Sequence, residues 1–311
     1  MSRNPSLVTV ARKKRSEQKL EQETTNFQDL IKSKFSKDDM EQFYAKYTSF
    51  NHIDEADMID EYGPEVLTLL PKGYYFSKRL GRGEYGAVYQ ACHDKFQCFA
   101  VKIQIAEDKA HKKAIRQEIK TQRLFAEDGI APAVIGKLVW WEYEGQMVGA
   151  IKMDRIDGTL GSLFEQSTQI SQSGIEDVTS GLLVLLAALQ RYEKTHGDMH
   201  VNNVAYRMIV DAEGLLRTQF VLIDFGFSIV GKSHLKFDTI NLARGVNWFW
   251  RSTHSLLSEQ VAQTLNTLVS RKYGVTDFSE ENYDLLYWQE FKRTFGRKKL
   301  NYIPDEWLAR I

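Results

Sequence analysis

Hydrophobic positions change period along the chain, and each change marks a new element. Beyond Tyr74, apolar and polar residues alternate in short runs, Tyr75–Leu80, Gly86–Ala91 and Cys98–Ile103, with turn-forming residues between them. Period-two alternation of this kind predicts strands. Lys109–Phe125 then spaces Ile115, Ile119 and Leu124 at helical intervals, and Val134–Trp141 and Met147–Met153 return to strand texture. After Arg155 the pattern is largely helical. Its clearest helix is Ile175–Lys194, where Val178, Leu182, Leu183, Leu185, Leu186 and Leu189 mark a buried segment. A strand pair near Val204–Met208 and Gln219–Asp224 follows, and then further helices. No internal repeat is visible. The expected fold is α+β and bilobal: a small antiparallel β lobe with one helix, a larger helical lobe, and a cleft between them.

The first 70 residues read differently. They are polar and charged, with Phe27, Leu30, Ile31, Phe35, Met40 and Phe43 near helical spacing between Gln22 and Tyr47, and Pro64 and Pro71-Lys72-Gly73 punctuate the exit. The expected division is an N-terminal arm over 1–70, disordered at its start and then helical and packed on the main domain, a small lobe over 71–154 and a large lobe over 155–311.

Composition narrows the classes. With 311 residues, 43% of them hydrophobic, the chain can bury one large core or two smaller ones. Lys+Arg and Asp+Glu balance at 41 each, which gives no support to a protein that wraps nucleic acid. Locally the charge is uneven: Arg12-Lys13-Lys14-Arg15 and Phe295-Gly296-Arg297-Lys298-Lys299 are basic, and residues 54–65 are acidic without Lys or Arg. Such runs read first as solvated faces, with a nuclear address or a docking site as alternatives. The two cysteines, Cys92 and Cys98, do not make a disulfide framework, so a reducing compartment is expected and the stretch between them reads as a hairpin turn. The longest apolar run, Gly181–Leu189, is too short to span a bilayer, and the N-terminus lacks a signal-peptide core. The expectation is an intracellular, cytoplasmic protein, with nuclear or virion-associated as alternatives, and no membrane or nucleic-acid partner.

Four motifs carry chemistry. Gly81-Arg82-Gly83-Glu84-Tyr85-Gly86-Ala87-Val88 is a glycine-rich run whose backbone can approach anionic oxygens closely and aim N–H groups at them. A dinucleotide-binding loop would be followed by a helix; here a strand pattern follows. Lys102, in Ala100-Val101-Lys102-Ile103, is a cation on an apolar strand and needs an anion nearby. Phosphates would serve, and so would a glutamate on the next helix, Glu118 first and Glu127 as its competitor. His196-Gly197-Asp198-Met199-His200-Val201-Asn202-Asn203 sets an aspartate and an asparagine on one loop, one able to accept a hydroxyl proton and the other to hold a metal through its carbonyl oxygen. His196 and His200 lack the adjacent glutamate of a zinc helix. Val221-Leu222-Ile223-Asp224-Phe225-Gly226 ends an apolar strand in a carboxylate that Mg²⁺ on ATP phosphates would satisfy.

In this order the four resemble the protein-kinase-like superfamily over roughly residues 74–255. The resemblance implies ATP with Mg²⁺, or Mn²⁺ in its place, and a protein substrate phosphorylated on serine or threonine. It implies Lys102 on the α- and β-phosphates with Glu118 as partner, Asp198 as base, and Asn203 and Asp224 as metal ligands. The glycine run from Gly81 to Val88 would cover the phosphates. Leu80, Val88 and Ala100 would cover the adenine from above and Ala205 from below, and Met153–Ile156 would form the hinge. The loop departs from the usual pattern: Gly197 replaces an arginine, and His200 stands where Ser/Thr kinases place a lysine. The His-Gly-Asp form is similar to small-molecule kinases of the aminoglycoside and choline group and to compact Bud32-like and large-virus kinases. No Ala-Pro-Glu follows, and Asp238-Thr239-Ile240-Asn241-Leu242 loosely matches the buried aspartate-bearing helix of the large lobe. Activity without a phosphorylation-controlled activation loop is expected. A small-molecule kinase and an ATP-binding scaffold are the alternative readings.

Overall fold

The computed structural model describes residues 53–83, 86–93, 96–166, 172–210, 216–296 and 302–311. The helical reading of Gln22–Tyr47 and the basic knot at Arg12–Arg15 lie outside the described residues, as do Glu84 and Tyr85.

The chain first builds an antiparallel sheet from β1 (Tyr75–Gly83), β2 (Gly86–His93), β3 (Phe96–Ala106), β4 (Val134–Tyr143) and β5 (Gln146–Asp154). Its five strands run in the order β1-β2-β3-β5-β4. Helix α2 (Lys109–Glu127), between β3 and β4, packs on one face. The other face is covered by helix α1 (Glu55–Tyr62) and a short 3-10 helix (Pro64–Leu69). Strand alternation decides which residue meets which layer. Tyr89, Val101, Ile103, Val148 and Ala150 face Met58, Tyr62, Val66 and Leu69. Ala100, Ile151 and Met153 face Ile115 and Ile119 of α2, together with Val88.

The acidic stretch thus proves to be more than a solvated face. Asp54 caps α1 by accepting from the Ala56 N–H, and Met58 and Tyr62 are buried. The Tyr62 carbonyl accepts the Trp141 indole N–H at 2.6 Å, its hydroxyl lies 3.1 Å from that of Tyr89, and Lys152 donates to the Leu69 carbonyl at 3.2 Å. The cysteines also depart from expectation. They occupy the β2–β3 hairpin as read, but Cys92 and Cys98 are joined by a disulfide, because antiparallel pairing brings their Cα atoms to 4.2 Å.

The large lobe holds β6 (Gly158–Thr159), α3 (Leu160–Gln166), α4 (Gln172–Arg191), β7 (Lys194–Thr195), β8 (Val204–Val210), β9 (Leu216–Leu222), β10 (Ile229–Val230), α5 (Leu235–Thr253), α6 (Leu256–Tyr273), α7 (Glu280–Phe295) and α8 (Asp305–Leu308). Among the described residues α4 is the only helix long and apolar enough to cross a membrane, and Val178, Leu182, Leu185, Leu186 and Leu189 on it belong to the lobe's core. The sequence pattern carried this helix to Lys194. It ends earlier because Glu193 takes a left-handed φ of 50°, which frees Lys194 to enter β7. Helix α5 is buried on nearly every side, including Asp238, Thr239, Asn241 and Asn247. Asn247 and Asn266 exchange amide hydrogen bonds at 2.9 and 3.1 Å, and the Tyr283 hydroxyl donates to Asn266 at 2.5 Å. These bonds tie α5, α6 and α7 together.

Tyr62→Ala should destabilise the protein by about 3 kcal/mol, the cost of a buried aromatic cavity. It should also strand the outer face of the sheet, read as a lower urea midpoint and increased binding of a hydrophobic dye. A midpoint within error of wild type would mean that α1 is not part of the small-lobe core.

Candidate active site

The glycine run begins at the end of β1 and continues into β2, with Gly81 opposite Val88, Arg82 opposite Ala87 and Gly83 opposite Gly86. Gly86 has a steric reason: a Cβ there would fall on the Ile103 carbonyl oxygen. Arg82 reaches back to α1 and lies 3.5 Å from Glu61, which also accepts from Tyr89 at 3.3 Å. Both partners of the ion pair are well exposed, so it contributes little stability.

Lys102 sits opposite Val88 on β2 and Ile151 on β5. Its Nζ donates to Glu118 Oε1 at 2.6 Å, with side chains only 21% and 13% exposed. Of the two candidate glutamates, Glu118 holds the lysine, because α2 presents it on the same side as buried Ile115 and Ile119. Val88, Ala100 and Met153 share this side of the sheet. Met153 is buried at the end of β5, where the Gln122 amide lies 3.7 Å from its sulfur. Leu80 is 37% exposed on β1, and Ala205 is fully buried on β8.

The loop after β7 is held from beneath. Asp238 on α5 accepts from the His196 and Gly197 backbone N–H groups at 3.0 and 2.9 Å. Gly197 has a φ of +85°, and a Cβ there would strike the Phe227 carbonyl. That explains why the arginine of the usual pattern is missing: this backbone has no room for any side chain. His196 is completely buried, and burial pushes its pKa down. Its neutral ring therefore donates from Nε2 to the Ile223 carbonyl at 3.0 Å. It packs edge-on against Phe225, whose ring meets that of Phe125 on α2 at a tilt, with centroids 4.9 Å apart.

Asn203 donates through Nδ2 to Asp198 Oδ2 and to the Asp198 carbonyl, each at 3.0 Å. This fixes the amide orientation and leaves Oδ1, directed away from Asp198, as an acceptor. Burial alone would raise the Asp198 pKa. The His200 ring, 3.6 Å from Asp198 Oδ2, is foremost among the neighbours that outweigh it, and the net shift is downward. Asp198 is therefore a carboxylate near neutral pH. The Ile223 N–H donates to the Asn203 carbonyl at 3.0 Å, so at the open end of the β8–β9 hairpin Asn203 meets Ile223, and Asp224 follows directly. Asp224 is exposed, with a left-handed φ of 66°. Non-glycine residues take that conformation at a cost, and it gathers at functional sites.

These pieces occur in the order of a known architecture, and the family model described as protein kinase domain matches residues 74–250. The chain belongs to the protein kinase family. A search of curated proteins finds no match. As a kinase-domain protein it is a phosphotransferase that uses ATP and a divalent metal. Its residues fit such a metal: Asn203 Oδ1 and the exposed Asp224 carboxylate are hard oxygen donors suited to a cation that also binds phosphate. Sequence reasoning named Lys102, Glu118, Asp198, Asn203 and Asp224. It passed over Lys194 and the Glu61–Arg82 pair, and it matched Asp238 only loosely.

Burial raises the Asp238 pKa to about 7, against the lowering effect of the Gly197 and His196 N–H groups. The folded protein thus keeps a proton that the unfolded chain has lost above its lower, ordinary carboxyl value. The associated stability is complete below that value and disappears as pH rises through about 7. Urea unfolding of wild type and Asp238→Asn from pH 4 to 8 should show their stability difference falling up to about pH 7 and level beyond it. A difference that does not vary with pH would place the Asp238 titration elsewhere.

Proposed function

We propose that this kinase moves the γ-phosphate of ATP to serine or threonine hydroxyls of proteins, with Mg²⁺ as the metal. One observation carries the reading: the Lys102–Glu118 pair at 2.6 Å coexists with a loop in which Asn203 orients the Asp198 carboxylate at 3.0 Å. In this reading Lys102 holds the α- and β-phosphates, and the run Gly81–Val88 covers them. Leu80, Val88, Ala100, Met153 and Ala205 enclose the adenine. Asn203 and Asp224 hold Mg²⁺, which draws charge from the phosphates when bound. Asp198, ionised near neutral pH, orients the acceptor hydroxyl and takes up its proton. Catalysis rests on positioning and on charge placed in advance. Residues 71–154 serve as the small lobe, 155–311 as the large lobe and 1–70 as an arm, part of which covers the sheet.

A small-molecule acceptor is the second reading. It is favoured by Gly197 in the catalytic loop and by the short path from Gly226 to α5, which begins at Leu235 and leaves little chain for a peptide platform. The acceptor decides between the two.

Incubation with γ-labelled ATP, Mg²⁺ and generic basic and acidic proteins should label serine or threonine. Asp198→Asn should lower turnover about 10²–10⁴-fold with ATP affinity little changed, and Lys102→Met should weaken nucleotide binding itself. Retained turnover in Asp198→Asn would remove that residue from the role. Phosphatase treatment should leave activity unchanged, since the segment after Gly226 is too short for a switch ordered by phosphate; a large loss on treatment would overturn that expectation.

A further inference from the structure

Helix α2 ends poorly by its own sequence. Its last turn carries no basic residue, its C-cap is Asp128, and Glu127 precedes the cap. Negative side chains therefore stand at the negative end of the helix macrodipole. The cation arrives from β7. Lys194 is 6% exposed; its Nζ donates to the Leu124 carbonyl and pairs with the Asp128 carboxylate. The same ammonium lies 5.2 Å from the centre of the Phe125 ring, the ring that packs against Phe225. The Lys194 main chain is fixed opposite Val230, directly ahead of Thr195 and the loop that begins at His196. A buried ammonium is costly to desolvate and persists only where several partners compensate it. All of these partners lie on or beside the final turn of α2.

We propose that Lys194 is a positioning residue: it clamps the C-terminal end of α2 to the strand that enters the catalytic loop, and so holds Glu118, about two turns earlier on the same helix, where it meets Lys102. Lys194 touches neither nucleotide nor acceptor. It sets the relative height of the two halves of the site, the phosphate-binding lysine above and Asp198 below. The proposal rests on the reading of Lys102 as the phosphate ligand.

The test is calorimetric binding of Mg·ATP to the full-length protein, with amide hydrogen exchange of α2 and thermal midpoints measured alongside. Lys194→Met keeps the apolar stem but not the charge. It should weaken Mg·ATP binding about tenfold and speed exchange in the second half of α2. Lys194→Arg should stay within about threefold of wild type, because its guanidinium can still reach a carboxylate and a carbonyl. In a Glu118→Gln background, Lys194→Met should change binding less than about twofold, since the pair that it positions is already broken. Equal loss in both backgrounds, or unchanged binding with a lower midpoint, overturns the proposal and leaves Lys194 a stability residue. If Lys194→Met does not fold, Asp128→Asn, which keeps the lysine and its Leu124 bond, runs the same cycle. If Lys102→Met binds Mg·ATP as wild type does, the phosphate-ligand reading itself fails and the proposal falls with it, an outcome distinct from the others.

Discussion

A carboxyl group sealed inside a helix bundle must find N–H donors, and Asp238 finds two on consecutive residues of one loop. Most of the site's order follows from that bond pair. It fixes the backbone of His196 and Gly197 against α5, the most deeply buried helix in the large lobe. Gly197 can then turn only with a positive φ, which brings its Cα against the Phe227 carbonyl and delivers Asp198 at a set angle. From Asp198 the order passes to Asn203 through the amide, from Asn203 to Ile223 through the main chain, and so to Asp224. Each link is a hydrogen bond of ordinary length. The groups that would handle metal and acceptor are thus tied to one another through the Asn203 amide and to the core through main-chain bonds.

The small lobe solves a different problem. A five-stranded sheet with apolar residues on both faces needs two covers, and α2 supplies only one. Residues 53–70 supply the other, and they bond to the sheet through Trp141, Tyr89 and Lys152. With both faces packed, β3 is held from both sides. Lys102 projects from it between apolar neighbours, where a cation has to keep its glutamate or a phosphate.

Much of this was legible in the sequence. Alternation in Tyr75–Leu80 and Cys98–Ile103 gave the strands because half-buried strands must alternate. The candidate site residues could be named because the glycine run, the Asp198 loop and Asp224 sit at the ends of periodic elements, where the chain turns, and because Lys102 stands out as a cation inside an apolar strand. What escaped depends on pairing across long stretches of chain. Lys194 looks like the last polar residue of an apolar helix until Glu193 turns left-handed. Nothing local links it to Asp128. Cys92 and Cys98 read correctly as a hairpin, yet strand register, which composition does not specify, decides whether their sulfurs meet. Gly197 looked like a lost arginine, and its cause is a carbonyl contributed from beyond the Asp-Phe-Gly motif.

The two ends of α2 explain why such a short segment after Gly226 is compatible with an ordered site. A helix that carries half of an ion pair can swing only if its far end is loosely held. Here that end is fixed by a buried ammonium, by the contact of Phe125 with Phe225 and by the chain's return into Ile130, whose carbonyl accepts from the Leu222 N–H at 2.9 Å. Displacing α2 would strip Lys194 of two partners at once and leave an uncompensated buried charge, a far larger penalty than losing a surface pair. The position of Glu118 is then a property of the folded core. An architecture of this kind has no need for a long loop to push the helix into place.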